Sequence, residues 1–405
     1  MATKGAETRG VNTAQFSSNE DSLIGDFNAE LHKDATSAGS FEEDYASICS
    51  SFNIVPCPFI KISANKATCK IINCVVDLSN WRAMLIAAST VNSEVKDFVF
   101  VNCALTKQHI DDLSIALEKL GIIHALRMEY ITIIQPTEGD SISEAEFWKP
   151  ILNGHINVPY VALKGCGIND QCVKDSIPVL SENLTIQALN LSDNALTDSG
   201  AGALFSIVPL ISSIKYLVLK KCQITGEENS LISLAEVFVG KPISEEHDAV
   251  MKNVAKGVVD KNKGLKDLNK KRKGKYSDLS DFVAPTERTI KVGDDTLMVH
   301  RSIASIDISH NELMVEKIKD MIGLISEKVE PFNAAGIAPC ESKIVMYGND
   351  DAVNAVCADY QALEPELQVN VKLASLPSPS PDADVDVYVD VKSNTNTVEG
   401  EEVKD

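Results

Sequence analysis

Segments of eight residues with the same apolar pattern recur along most of the chain, and their spacing restricts the fold more than any other feature. Each segment has apolar residues at its first, third and eighth positions and, in five of six segments, Cys or Asn at its sixth. The segments start at Phe98, Leu126, Val161, Leu189, Leu217 and Ile306, and weaker copies start at Cys69 and Ile344. Successive starts lie 29, 28, 35, 28, 28, 89 and 38 residues apart. Three spacings of 28 indicate an internal repeat.

Each repeat can be read as one strand followed by one helix. The alternating apolar residues predict a short strand with one buried face. The sixth side chain then turns inward, where Asn194 or Asn311 can hydrogen-bond the loop backbone of its own and the neighbouring repeat. The thiols at this position are interpreted as compact, weakly polar fillers, and they belong to Cys74, Cys103, Cys166 and Cys222. Because one unit cannot bury its own faces, we expect the repeats to stack.

This pattern resembles the leucine-rich repeat, L-x-x-L-x-L-x-x-N/C-x-L, in its long ribonuclease-inhibitor-like form. The copy that matches best, IQALNLSDNALTDSGAGALFSIVP, has Asn194, Gly200 and Leu204 at the expected places. The resemblance implies an α/β fold, a leucine-rich-repeat solenoid with a curved ribbon of parallel strands inside and helices outside. We expect eight repeats.

The departures from the repeat suggest five regions. Residues 1–45 are polar and are predicted to be a disordered N-terminal arm. Residues 46–240 would hold leucine-rich repeats with an N-terminal cap, and residues 241–300 an insertion. Residues 301–376 would resume the repeats and end in a C-terminal cap. Residues 377–405 carry eight acidic residues against two lysines and are predicted to be a disordered acidic tail.

The insertion has a basic half and a half that predicts a β-hairpin. Residues 251–275 contain ten basic residues against two acidic ones, and residues 289–292 and 296–299 flank a Gly-Asp-Asp turn. Three interpretations of the basic half stay open: a nuclear-localisation or nucleic-acid patch, a solvated disordered loop, and a tether for an acidic surface such as tubulin. The tether residues would be Lys266, Lys270, Lys271, Arg272, Lys273 and Lys275.

Composition argues against several classes of protein. The net charge of −20 disfavours nucleic acid and anionic membranes as main partners, and no apolar run is long enough for a membrane span. The N-terminus has no apolar signal segment, so we expect a cytoplasmic protein. The ten cysteines form no CxxC pair, and no catalytic or nucleotide-binding motif occurs. We therefore expect no cofactor, no metal and no enzymatic activity.

The solvent-facing strand positions would form the concave surface, where leucine-rich-repeat proteins bind partners. We expect Tyr130, Arg127 and the pair Lys220 and Lys221 to be anchors, because aromatic and basic side chains dominate interface hot spots. The candidate binding residues are Arg127, Glu129, Tyr130, Lys164, Asn190, Asp193, Lys220, Lys221, Asp307 and His310.

The function predicted from this organisation is a non-enzymatic scaffold for protein–protein interaction. Across roughly residues 200–350, the order of repeat, lysine-rich insertion, hairpin and resumed repeat resembles the family of leucine-rich repeat-containing protein 71. That resemblance implies a structural component of a cilium or flagellum axoneme, with tubulin or axonemal proteins as partners. The alternative is an activator of a small GTPase of the Ran type, which would present an arginine such as Arg127 or Arg82 to the nucleotide.

Overall fold

The structure is a computed structural model, and it describes residues 23–374 with gaps at 32, 34–38, 65, 91–92, 121–122, 138, 140, 153–157, 182, 212, 272–288, 293, 299–302, 335–341, 347–351, 354 and 357–370. Residues 1–22 and 375–405 lie outside the described part, and with them about half of the predicted arm and the whole predicted tail.

Ten of the fifteen described strands pair in one sheet. In chain order they are β1 (Lys61–Ile62), β2 (Thr68–Ile72), β3 (Asp97–Val101), β4 (Ala104–Leu105), β5 (Ala125–Glu129), β6 (Thr132–Ile133), β7 (Tyr160–Lys164), β8 (Ala188–Asn190), β9 (Tyr216–Val218), β10 (Lys241–Pro242), β11 (Thr289–Val292), β12 (Asp295–Met298), β13 (Ser305–Asp307), β14 (Ser342–Val345) and β15 (Val371–Ala374). Ten of them form a sheet in the order β1-β2-β3-β5-β7-β8-β9-β13-β14-β15, which follows the chain. All neighbours are parallel except β1 and β2.

One layer of helices covers one face of this sheet. The described helices are α1 (Phe27–Leu31), α2 (Phe41–Ser51), α3 (Leu78–Ala88), α4 (Lys107–Leu120), α5 (Glu144–Leu152), α6 (Asp170–Leu180), α7 (Asp198–Ile207), α8 (Ser230–Val239), α9 (Glu245–Lys271) and α10 (Val315–Ala334). From α2 to α8 each helix packs on the next, and α10 packs on α8. The predicted α/β class, with a mostly parallel sheet and helices, is confirmed.

The first residues of successive repeats lie side by side in the sheet. Leu189 pairs with Leu217, and Leu217 pairs with Ile306 on the far side of the insertion. The first and third positions point into the core, as Phe98 and Phe100 do with no exposed surface. Since β13 bonds directly to β9, the insertion leaves the stacking of repeats unbroken.

The sixth-position asparagine serves the backbone of two repeats at once. The Asn194 side-chain carbonyl accepts hydrogen bonds from the backbone N–H groups of Cys166 (2.9 Å) and Ile168 (3.0 Å) in the preceding repeat. Its amide donates to the carbonyls of Leu163 at 2.7 Å and Leu191 at 2.8 Å. Asn311 repeats this arrangement, and its amide reaches Leu219 at 2.9 Å across 92 residues of sequence.

The sixth-position cysteines do more than fill volume. The thiols of Cys103, Cys166 and Cys222 each donate to the third-position carbonyl of the preceding repeat, as the Asn194 amide does to Leu163. The pairs are Cys103 with Ile71 at 3.4 Å, Cys166 with Met128 at 3.2 Å and Cys222 with Leu191 at 3.6 Å. The thiol therefore takes over the donor role of the asparagine side chain.

A second ladder of side chains, which the sequence analysis did not identify, joins the repeats where the helices begin. Asp170 accepts hydrogen bonds from the N–H and hydroxyl of Thr197, and Asp198 accepts the same pair from Thr225. Asp198 also accepts from the N–H of Gly226 at 2.7 Å and from the Ser230 hydroxyl. Burial raises the pKa of Asp198, but these hydrogen bonds lower it more, so the net direction is downward.

The prediction that residues 1–45 form a disordered arm is wrong for the part that the structure describes. Phe27 and Leu31 on α1 and Phe41 and Tyr45 on α2 are buried in the core. The Arg82 guanidinium holds this segment by donating to the Ile24 carbonyl at 2.7 Å. The apolar residues are few, but helical spacing places them on one side, against α3 and α4.

The interpretation of the basic half as a disordered loop is also wrong, because residues 251–271 belong to the 27-residue helix α9. Met251 joins the main core, and Val258 packs against Leu184. The second half of the insertion forms a hairpin of β11 and β12, to which β10 adds a third strand. Residues 293 and 299, which fall in the predicted hairpin, lie outside the described residues.

The C-terminal part of the sheet is longer than the repeat count predicts. The strand β15 pairs in parallel with β14 and follows the eight strands that the sequence copies account for. Residues 371–374 lack the Asn or Cys landmark, so the repeat pattern does not identify them.

Asn194→Ala tests the sixth-position ladder. The change leaves two buried N–H groups without an acceptor, so we expect the free energy of unfolding to fall by about 2–4 kcal/mol. Cys222→Ala removes a weak donor and a small volume and should lower it by about 1 kcal/mol. Chemical denaturation of both variants checks this, and equal losses would contradict the roles given to the two side chains.

His109 is a buried, neutral histidine of the helix layer. Its Nε2–H donates to the Val76 carbonyl at 2.9 Å, and its Nδ1 accepts from the Thr106 hydroxyl at 2.6 Å. Burial lowers its pKa from 6.5 to about 4, because the charged ring is poorly solvated there.

His109→Gln tests this depressed pKa. As pH falls from about 6.5 to 4, the unfolded chain binds the proton and the folded chain does not, so stability declines by up to about 1.4 kcal/mol per pH unit. Above that window His109 contributes no pH dependence. We expect the wild type to lose about 2 kcal/mol more than the glutamine variant between pH 7 and pH 5, measured by urea denaturation. Parallel pH profiles would refute a neutral His109.

Candidate protein-binding surface

The face of the sheet opposite the helices, here called the open face, carries the second, fourth and fifth positions of each repeat. The second and fourth side chains point outward because the first and third point into the core. The fifth residue turns the chain with a positive φ in seven repeats, and these residues are Asn73, Asn102, Tyr130, Gly165, Asp193, Lys221 and His310. Its backbone N–H donates to the fourth-position carbonyl of the next repeat, as Tyr130 does to Lys164 at 2.8 Å.

The centre of the open face holds a cluster of three side chains from three successive repeats. The Tyr130 hydroxyl donates to the Asp193 carboxylate at 2.8 Å, and the Lys164 ammonium lies 3.6 Å from the same carboxylate. That ammonium also lies 5.7 Å from the centre of the Tyr130 ring. The ring rests on Gly165, where a Cβ would overlap ring carbons. Tyr130 is nevertheless 43% exposed, so a fixed aromatic surface faces the solvent.

Two of the other predicted anchors, Arg127 and Lys220, form ion pairs on the open face. Arg127 bonds Glu129 of its own strand at 2.6 Å, and Lys220 lies 3.1 Å from Asp307 of the next repeat. Asp307 stands at the second position of its repeat, where it is paired with Lys220 and only 9% exposed. Its carboxylate turns back to accept the N–H of Ser309 at 3.0 Å, which buries it against the strand.

The remaining candidates differ in exposure. The Asn190 side chain is half-buried and accepts the N–H of Ser192 at 3.0 Å. Lys221 and His310 are exposed at the fifth position of neighbouring repeats. The structure thus brings Tyr130, Lys164 and Asp193 together, while the other candidates lie along the same face.

The open face also has an apolar part that the sequence analysis did not single out as a site. Ile72 at the fourth position of the first repeat is 46% exposed. Val99 and Val101 on the neighbouring strand are half-buried on the same face. The sequence contained a signal for this apolar part, because Ile72 occupies the position at which other repeats have Glu129 or Lys164. The signal was missed because the repeat that starts at Cys69 is one of the weaker copies.

The candidate tether residues are only partly described. Lys266 is exposed on α9, and Lys270 and Lys271 are the last residues of this helix. Arg272, Lys273 and Lys275 lie outside the described residues.

The thiols of the repeats are poor nucleophiles. Burial raises the pKa of Cys166 to about 12 and that of Cys222 to about 11, so both are protonated at neutral pH. Among the residues that the structure describes, no three His, Cys, Asp or Glu side chains converge to hold a metal ion. No described helix combines the length and the apolar character that crossing a membrane requires.

A comparison with protein families matches one repeat of this arrangement. The family model described as Leucine Rich repeat matches residues 182–205, which include β8, Asn194 and most of α7. The match supports a leucine-rich repeat protein. Such repeats are typically non-enzymatic modules that bind other proteins. No curated protein matches the chain.

Gly165→Ala tests the packing of the central cluster. Alanine must adopt a φ near +59° and press a methyl group into the Tyr130 ring, so we expect a loss of about 2–4 kcal/mol in the free energy of unfolding. Gly167→Ala is the matched control, because it has a positive φ but its nearest neighbour, Glu144, would lie 3.7 Å away. It should cost about 1–2 kcal/mol.

Adding Tyr130→Ala to the Gly165→Ala variant should remove the clash with the ring. It should recover most of the difference in the free energy of unfolding between the two glycine variants. Thermal and urea unfolding of the four proteins check it. Equal losses for the two glycine variants would show that the ring does not rest on Gly165.

Proposed function

We propose that the protein is a non-enzymatic scaffold, a leucine-rich-repeat solenoid whose open face binds a partner protein. The observation that carries the proposal is the central cluster of Tyr130, Lys164 and Asp193. An aromatic side chain held by a hydrogen bond, a nearby ammonium and a glycine has little conformational entropy left to lose on binding. Fixed aromatic groups of this kind are typical interface hot spots.

The charges around the cluster favour a partner of mixed character. Lys221 and His310 offer exposed polar groups on one side, and Ile72, Val99 and Val101 offer an apolar strip on the other. A partner that buries the strip and pairs with the polar side would match the face in both respects.

Tyr130→Ala and Lys221→Glu test the binding face. Each should weaken partner capture by about tenfold or more, because each changes an exposed side chain of the open face. Lys319→Glu makes the same charge change at an exposed position of α10 and should leave capture unchanged. Proximity labelling with the wild type and the three variants, each checked for folding by circular dichroism, identifies the partners. Partners that persist in both open-face variants would place binding elsewhere.

A more specific proposal concerns the cellular compartment and the partner proteins. The resemblance to the family of leucine-rich repeat-containing protein 71 supports a structural role in a cilium or flagellum axoneme, with tubulin or axonemal proteins as partners and a cytoplasmic origin. Imaging of the tagged protein in ciliated cells tests this. Exclusion from the axoneme would refute the location and leave the scaffold proposal intact.

The alternative of a GTPase activator of the Ran type depends on a free arginine. Arg127 is bonded to Glu129, and Arg82 is bonded to Asp112 at 2.6 Å. Acceleration of GTP hydrolysis by the purified protein, abolished by Arg127→Ala, would support this alternative over the scaffold.

A further inference from the structure

The helix α9 attaches to the rest of the protein through one side. Met251 is 4% exposed and joins the main core, while Val258 is 6% exposed and packs on Leu184 together with the half-buried Val250. Leu184 lies just before β8, so the attachment reaches back two repeats from the start of the insertion.

The other side of α9 is a basic stripe. Lys252, Lys256, Val259, Lys263 and Lys266 are exposed, and their spacings of four, three, four and three residues place them in one row along the helix. Val259 is 68% exposed in the middle of this row. The structure thus presents lysines on both sides of an apolar patch, on a helix whose opposite side is packed.

This stripe lies in a strongly acidic protein. The whole chain has a net charge of −20 and residues 251–271 of α9 have +5, which leaves −25 for the rest. An acidic segment of this chain is therefore repelled by most of the protein and attracted to α9.

We propose that the basic stripe of α9 binds the acidic tail of the same chain, at residues 382–391. This contact goes beyond the proposed function, because it does not involve the open face. The tail segment DADVDVYVDV alternates carboxylates with apolar residues. In an extended peptide every second residue recurs at about 6.6 Å, and lysines three or four apart on a helix recur at about 4.5–6 Å. Asp386, Tyr388 and Asp390 point to the same side of such a peptide, so carboxylates can pair with lysines while the Tyr388 ring covers Val259.

The tail can reach α9 without strain. Four sheet neighbours separate β15 from β8, which corresponds to about 19 Å at the spacing of paired strands. Asp382 is eight residues and Asp390 sixteen residues beyond Ala374, so the chain can span about 26–53 Å to these positions. A linkage this short gives the tail a local concentration in the millimolar range, so weak ion pairs suffice to hold it.

Competition by a peptide tests this contact in the full-length protein. The probe is a fluorescent synthetic peptide of residues 377–405, and the acceptor is either the wild type or a variant with Asp382, Asp384, Asp386 and Asp390 all changed to Asn. The wild-type tail should occupy the stripe, so we expect the Asn variant to bind the peptide about tenfold tighter or more. This binding should disappear at about 0.5 M salt, because salt screens the ion pairs.

Lysine substitutions in the Asn variant locate the site. Changing Lys256, Lys263 and Lys266 to Gln should weaken peptide binding about tenfold or more. The matched control changes three exposed lysines of the N-terminal strands, Lys61, Lys70 and Lys96, to Gln and should have no effect. Equal losses in the two triple variants would overturn the proposed site.

Two further results would overturn the proposal. Equal peptide affinity of the wild type and the Asn variant, or equally tight binding of a polyglutamate peptide by both, would mean that the stripe is open to outside acidic chains. Carbodiimide cross-linking of a mixture of isotope-labelled and unlabelled protein distinguishes contacts within one chain from contacts with a second copy of the chain. Lysine–aspartate cross-links should lie within one chain, and cross-links mainly between chains would assign the tail to a neighbouring molecule.

Discussion

The hydrogen bonds of the sixth-position side chain hold neighbouring repeats together. A turn that leaves a buried strand has N–H and C=O groups that no strand can pair, and an unpaired buried group costs about 1–3 kcal/mol. Asn194 satisfies such groups in two repeats at once. Asn311 does the same across 92 residues of sequence, so the stack continues past the insertion. Where the sixth residue is Asn, this inward bond therefore joins two repeats.

The turn that accompanies an inward sixth residue prepares the open face for binding. An inward sixth residue requires the fifth to reverse the chain, and it does so with a positive φ in seven repeats. The fifth side chain is thereby raised above the strands. At Tyr130 this places an aromatic ring over Gly165 of the next repeat and its hydroxyl on Asp193 of the one after. The same backbone constraint that stacks the repeats thus fixes the central cluster.

Features that recur in every repeat could be predicted from the sequence, whereas contacts that occur only once could not. The strands and the candidate face were predictable because the apolar spacing repeats, and the ladder of Asp170 and Asp198 could also have been found, since Thr197 and Thr225 share its spacing of 28. The packing of Phe27 and Phe41 on the first repeats was not predictable. A few apolar residues in a polar segment become buried only if the folded protein offers an apolar surface for them, and the sequence of the segment does not show that surface. The low exposure of Asp307 was not predictable either, because it depends on the Lys220 side chain of the preceding repeat.

In the insertion the composition was a poor guide to the structure. Its composition suggested a loop, yet its apolar residues anchor it at both ends, with Met251 at 4% exposure and Met298 fully buried. Lys241 at its start donates to the Ser206 carbonyl at 3.0 Å, and burial lowers the pKa of this lysine. Lysines on a helix held in this way lose less entropy on binding than lysines on a free chain. A short acidic segment can therefore gain from ion pairs that would contribute little on a mobile loop.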